Sequence, residues 1–173
     1  MARKRDIISW IMYRTASTLS SGGWGASYTI LPDGSRRITA VLLPGNFCDL
    51  HVTTLQSMDH SVTALAECEV AYIDSGLLEE ATRSISILTR ALLRSTLVDE
   101  AILRPWLVSW GPRDAFEGLG HLQWELHLRA QAVGLVSDNR LSIPMTQEGL
   151  GDATGLTLVH ATGSSGGCGK KVC

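Results

Sequence analysis

The run Asp59-His60-Ser61 sets a carboxylate, an imidazole and a hydroxyl side by side, the three groups of an acyl-transfer triad. Adjacency does not make a triad, because the groups must converge in space. A polar turn between strands accounts for the same three residues. The stretch from Gly163 to Lys171 has the look of a phosphate loop. However, five residues separate Gly163 from Gly169-Lys170 where the motif has four, and Lys171 occupies the place of the metal-binding Ser or Thr. His160, Cys168 and Cys173 are good zinc ligands by type, but they are only three and lie in a Gly/Ser-rich stretch. No catalytic residue, metal site or cofactor is expected from these groups.

The remaining reactive side chains read as structural. Cys48 and Cys68 fall in apolar stretches, where a free thiol behaves as a small core residue. His121 and His127 lie on or beside the polar side of a predicted helix and are read as solvated. Trp106, Trp110 and Trp124 are read as packing residues, since no basic groove surrounds them. Hydrophobic residues make up 45% of the 173 and charged residues 18%, enough apolar matter for a core and too little charge for wholesale disorder. A formal charge of -2 argues against a general polyanion binder, so any nucleic-acid contact needs a local patch. The apolar runs are far shorter than the ~20 residues a membrane helix needs. The basic start at Arg3, Lys4 and Arg5 has no adequate apolar region behind it for a secretion signal. These features point to a cytoplasmic protein without a membrane partner.

The positioning elements follow from periodicity. Residues 1–21 are basic, then rich in Ser and Thr, with no clear period. Residues 22–75 read as short strands: Tyr28 to Leu31, a Pro32-Asp33-Gly34 turn, Arg37 to Leu43, a break at Pro44-Gly45, then Val62 to Ala66 and Val70 to Ile73. Strands joined by tight turns without intervening helices imply an antiparallel roll or barrel. Residues 76–111 read as helix. Leu97, Val98, Ala101, Ile102, Pro105 and Val108 form one apolar face, and Leu93, Leu103, Trp106, Leu107 and Trp110 widen it. A helix apolar on more than one side needs more than one neighbour: one can be its own roll, and the other a second copy of the chain. Pro105 should kink this helix, and Gly111-Pro112 should end it.

A second helix starts at Asp114 with Glu117 behind it, near the capping-box pattern, and stops at Gly134. Its buried stripe is Ala115, Leu119, Leu122, Leu126, Ala130 and Val133. Residues 135–145 read as a small hairpin around Asp138-Asn139, and Thr146 opens a third helix. Residues 112–161 thus form one helical module. Residues 162–173 have the composition of a flexible linker.

Two stretches now become specific. Leu31-Pro32-Asp33-Gly34-Ser35-Arg36-Arg37-Ile38, followed by Leu42-Leu43-Pro44-Gly45-Asn46-Phe47-Cys48-Asp49-Leu50, resembles the middle of the β-roll in Crp/Fnr-family transcription regulators. Met145-Thr146-Gln147-Glu148 through Leu150, with Gly155-Leu156-Thr157-Leu158-Val159-His160, resembles that family's helix-turn-helix. The order of elements agrees from about residue 22 to residue 160. The resemblance implies an α+β fold: a partial antiparallel β-roll of the double-stranded β-helix or jelly-roll type, a long dimerisation helix and an incomplete winged helix-turn-helix. It implies a homodimer that binds DNA, with Thr146, Gln147, Thr157 and His160 where the family's DNA contacts fall. It also implies a small-molecule effector, of unknown identity, near Gly45, Leu50, His60 and Ser61.

The chain departs from the family in three places. The first strands of the roll are expected to be missing or replaced in residues 1–21. Nucleotide-binding members carry a Gly-Glu pair and an Arg-Ser/Thr-Ala run, and here Leu50 falls at the Glu and Met58-Asp59-His60 at the Arg run. No Lys or Arg occurs from Ile38 to Thr82, so a cyclic phosphate would lack its charge-assisted partner and cyclic AMP is not expected to bind. Finally, the recognition helix should stop near Ala161, before a Gly/Ser tail, as in a shortened or frameshifted product. A dimerising module without specific DNA binding is the alternative to a working regulator.

Overall fold

A computed structural model describes residues 6–8, 16–50, 58–109 and 113–155. Six strands are present among them: β1 (Asp6–Ile8), β2 (Ala16–Gly22), β3 (Gly25–Ile30), β4 (Arg36–Leu42), β5 (Ser61–Ala64) and β6 (Glu69–Asp74). Four form a sheet in the order β1-β5-β3-β4, and β2 pairs with β6 in a second sheet. The β2–β6, β1–β5 and β3–β5 pairings are antiparallel, with Ala26 opposite Thr63 and Leu19 opposite Ala71. The predicted turn joins β3 to β4. Gly34 takes φ 83°, and its N–H donates to the Leu31 carbonyl at 2.9 Å. Asp33 Oδ1 accepts from the Ser35 amide at 2.9 Å and its hydroxyl at 2.6 Å, and these hydrogen bonds lower the Asp33 pKa.

Residues 1–21, read as unpatterned, contain β1 and all but the last residue of β2. These strands stand in a segment where the sequence shows no clear period. Ser and Thr dominate Ala16–Gly22, and polar residues with no apolar alternation hide a strand from periodicity while leaving its backbone free to pair. Gly23 follows at φ 80°, where a Cβ would overlap the Glu67 carbonyl oxygen, so this bend admits only glycine.

Four helices follow: α1 (Ser75–Ser84), α2 (Ser86–Ser109), α3 (Ala115–Ala132) and α4 (Gln147–Thr154). The helix predicted across residues 76–111 is split, because Ile85 adopts extended geometry between α1 and α2. Asp74 caps α1 by accepting from the Leu77 amide at 3.0 Å. Pro105 lies within α2, which stays helical on both sides of it; Gly111-Pro112 lies outside the described residues. Asp114 caps α3 through the Glu117 amide at 2.8 Å, as its spacing predicts. At the other end Gly134, at φ 73°, donates to Gln131 and Leu135 donates to Ala130, which closes a Schellman motif. Asp138 and Asn139 both have positive φ between the bridged Ser137 and Arg140, a two-residue turn of the hairpin kind.

The chain divides into two compact units, residues 1–28 with 41–102 and residues 29–40 with 103–173. In the first, Leu42, Cys48, Met58 and Val62 form a buried cluster against which Ile7 packs. In the second, Leu119, Leu122, Leu126 and Ala130 are buried along α3, four of the six residues in the predicted stripe. Val133 is exposed instead, because it is the C-cap where the helix ends. Trp106 of α2 is buried and donates its indole N–H to Glu125, whose other oxygen takes Arg129 at 2.8 Å.

Candidate functional site

The expected effector region lies around the β4–β5 connection. Gly45 turns the chain at φ 91° and donates its N–H to the Ser20 carbonyl at 2.8 Å. Leu50 is half-buried. His60 Nδ1 lies 2.7 Å from Asp59 Oδ1, and its Nε2 lies 3.2 Å from the Cys48 carbonyl. Ser61 is buried in β5 opposite Tyr28. Both nitrogens of His60 thus lie within hydrogen-bond reach of groups in the segment that leads into β5. The carboxylate of Asp49, next to Leu50, is buried, in a stretch that contains no cation from Ile38 to Thr82. Among the described residues, no group of three or more His, Cys, Asp or Glu side chains is placed to hold a metal ion.

The second candidate region is built on α4. Thr146 caps it, accepting from the Gly149 amide at 3.1 Å, and Gly155 ends it in the left-handed region at φ 77°. Thr146 and Gln147 are both exposed at its start. Thr157 and His160 lie outside the described residues. The tip of the β3–β4 hairpin belongs to the same compact unit and reaches α4 through two arginines. Arg36 Nη2 and Nε lie 2.7 and 2.8 Å from Asp152 Oδ2. Arg37 Nη1 lies 2.7 Å from where a Cβ at Gly155 would stand, which sets that guanidinium beside the helix C-terminus, where a cation is favoured. Sequence reasoning missed this contact, which joins residues 116 positions apart. The adjacent Arg36 and Arg37 after a tight turn were its only local signal.

The third region is the outer side of α2. Leu97, Val98, Ala101 and Val108 are exposed, with Leu97 at 54% and Val98 at 48%, whereas Ile102 and Pro105 are half-buried. Leu93, Leu103 and Leu107 are exposed beside them. The wide apolar surface predicted for this helix is therefore only partly covered within one chain. Trp124, expected to pack, is 63% exposed and stacks on His127 with ring centroids 6.2 Å apart. Among the described residues no helix is long and apolar enough to cross a membrane.

No protein-family model matches the sequence, and no curated protein is similar to it. Solved structures are similar over nearly its whole length. FixK2 from Bradyrhizobium japonicum superimposes with a TM-score of 0.86 at 22% identity, over 97% of this chain and 81% of that one. A CRP-family transcriptional regulator from Thermus thermophilus gives 0.75 at 16%, over 99% and 84%. The c-di-GMP-responsive global regulator CLP from Xanthomonas campestris gives 0.74 at 11%, over 98% and 84%. Strands paired as a roll, a long exposed helix and a capped helical module in this order give the chain the fold of the Crp/Fnr regulators.

Proposed function

We propose that this chain is a self-associating, DNA-binding transcription regulator of the Crp/Fnr type that does not respond to cyclic AMP, and not an enzyme. The observation that carries the reading is the end of the helical module. A Thr-capped α4 closes on a left-handed Gly155, the geometry that turns a chain from the first helix of a helix-turn-helix into the second. Thr146 and Gln147 would lie beside the duplex, and Thr157 and His160 would face it. The half-covered surface from Leu97 to Val108 would meet a second copy, since a two-fold reader needs two such modules. The absence of cations from Ile38 to Thr82, together with Leu50, argues against a cyclic nucleotide in the roll.

A specific observation favours a second reading, a dimerising module without base recognition. No Lys or Arg lies between Arg140 and Lys170, and the Gly/Ser-rich run from Thr162 to Gly169 has poor helix propensity. Each bidentate base contact supplies ~1–3 kcal/mol of discrimination only if a stable helix carries it. Fluorescence anisotropy with a two-fold-symmetric operator, in excess random DNA at fixed salt, separates the two. A regulator keeps specific binding and loses it on Gln147→Ala. Equal affinity for both DNAs would establish the second reading.

A further inference from the structure

The stretch expected to meet DNA is poor in cations. No Lys or Arg lies between Arg140 and Lys170, and α4 itself holds Glu148 and Asp152 but no basic residue. Affinity for a duplex comes first from cations set against its phosphates. A module of this composition needs cations from another part of the chain. The β3–β4 hairpin is placed to supply them. It belongs to the same compact unit as α3 and α4, and Arg36 and Arg37 stand at its tip.

The two arginines have different surroundings. Arg36 is committed to Asp152 through both Nη2 and Nε, and both side chains are largely covered. This pair fastens the hairpin tip to the last turn of α4. It also offsets the charge of Asp152, the carboxylate that would otherwise repel a phosphate there. Arg37 faces the end of α4. From the place where a Cβ at Gly155 would stand, its Nη1 lies 2.7 Å away, its Cζ 3.6 Å and its Nη2 4.0 Å, so the guanidinium covers that exposed turn. Among the described residues no hydrogen bond or ion pair takes up its donors. Asp33 feels its charge, but the Asp33 Oδ1 accepts from the Ser35 amide and hydroxyl.

On the reading above, Gly155 is where the chain passes from the first helix of a helix-turn-helix to the second. In such docking the start of the second helix lies at the base edges, with phosphates on either side. A guanidinium on Gly155 then stands beside the duplex backbone. We infer that Arg37 is a DNA-phosphate contact supplied by the roll hairpin and held at the helical module by the neighbouring Arg36–Asp152 pair. The contact rests on the DNA-binding reading but not on base recognition, because a phosphate contact carries no sequence information. It is the same whether or not the following helix reads bases.

The test measures binding of the full chain to a fluorescent random-sequence duplex, by anisotropy over a series of sodium chloride concentrations. Arg37→Gln should weaken binding roughly threefold or more at low salt, and flatten the fall of log affinity with log salt by about 0.9 for each chain on the duplex. Arg37→Lys, which keeps the charge, should restore the slope. A merely structural role at the helix end would move the melting temperature and leave the slope alone. Arg83→Gln removes an equal charge from α1, where Arg83 pairs with Glu79, and should not change the slope. Asp33→Asn keeps an acceptor for Ser35 but removes the carboxylate nearest in effect to Arg37, so it should tighten binding about twofold or more at low salt. An unchanged slope in Arg37→Gln, or an equal flattening in Arg83→Gln, overturns the contact. Should Arg37→Gln lose helix by circular dichroism, Asp33→Asn decides: tighter binding upholds the contact, and unchanged or weaker binding overturns it. A wild-type chain that binds no DNA at low salt overturns the regulator reading and the contact with it. That result is distinct from binding that ignores Arg37, which overturns the contact alone.

Discussion

Cys68 has the chemistry of a reactive thiol but not its surroundings. Its Sγ–H donates to the Trp24 carbonyl at 2.8 Å, and burial is the main cause that pushes its pKa up. Iodoacetamide should modify Cys68 several-fold more slowly in the folded chain than in the urea-unfolded chain at the same pH, read by mass spectrometry of its own peptide. Equal rates would contradict the geometry. His121 shows the opposite displacement for the same reason. Burial lowers its pKa first and the charge of Arg113 lowers it further, while Glu125 pulls it back. The unfolded chain therefore takes up the proton first. His121's contribution to stability is complete above 6.5 and is lost as pH falls from there through the folded value. A proton NMR titration should place its midpoint below 6.5, and His121→Gln should flatten the loss of stability on mild acidification. At this scale the sequence was a fair guide to types and a poor one to exposure. Cys48 is buried as expected, but Cys68 is half-buried and Trp124 faces solvent. Burial depends on which element crosses above a residue, which the residue's own neighbours do not encode.

The helices of the second unit owe their ends to single residues. Thr146→Ala removes the acceptor for the Gly149 amide and should destabilise that unit by about 1 kcal/mol in urea titration. Gly120, inside α3, has nothing within 4 Å of where a Cβ would stand. Gly120→Ala should therefore stabilise by about 0.5–1 kcal/mol through backbone entropy alone, and a loss of stability would show that this surface is covered. Caps and stops were legible because they are local. Asp114, Gly134, Thr146 and Gly155 each act within four residues of their own position. The break at Ile85 was not legible, since an isoleucine followed by Ser and another Ile carries no helix-stop signal. Strands β1 and β2 were missed because pairing with β5 and β6, far along the chain, makes them strands.

For the whole molecule, the exposed side of α2 bears on assembly. The surface from Leu97 to Val108 exceeds what one chain covers, and burying a Val or Leu side chain is worth roughly 1.5–3 kcal/mol. Val98→Asp with Ile102→Asp should convert the proposed dimer into monomer or aggregate in sedimentation, and an unchanged dimer would move the interface elsewhere. Calorimetric titration with cyclic AMP should give no binding in the micromolar range. A micromolar constant would require a cation that the stretch from Ile38 to Thr82 does not contain.

The sequence by itself determined the α+β class, the order of roll, long helix and helical module, the turn at Gly34 and the helix caps. Each is a matter of short-range periodicity or of one residue's conformational freedom. Only the tertiary structure decided that Arg36 and Arg37 close on Asp152 and Gly155. These groups lie tens of positions apart. Chain folding, which brings distant charges within hydrogen-bond reach or leaves them unpaired, is not written in local spacing.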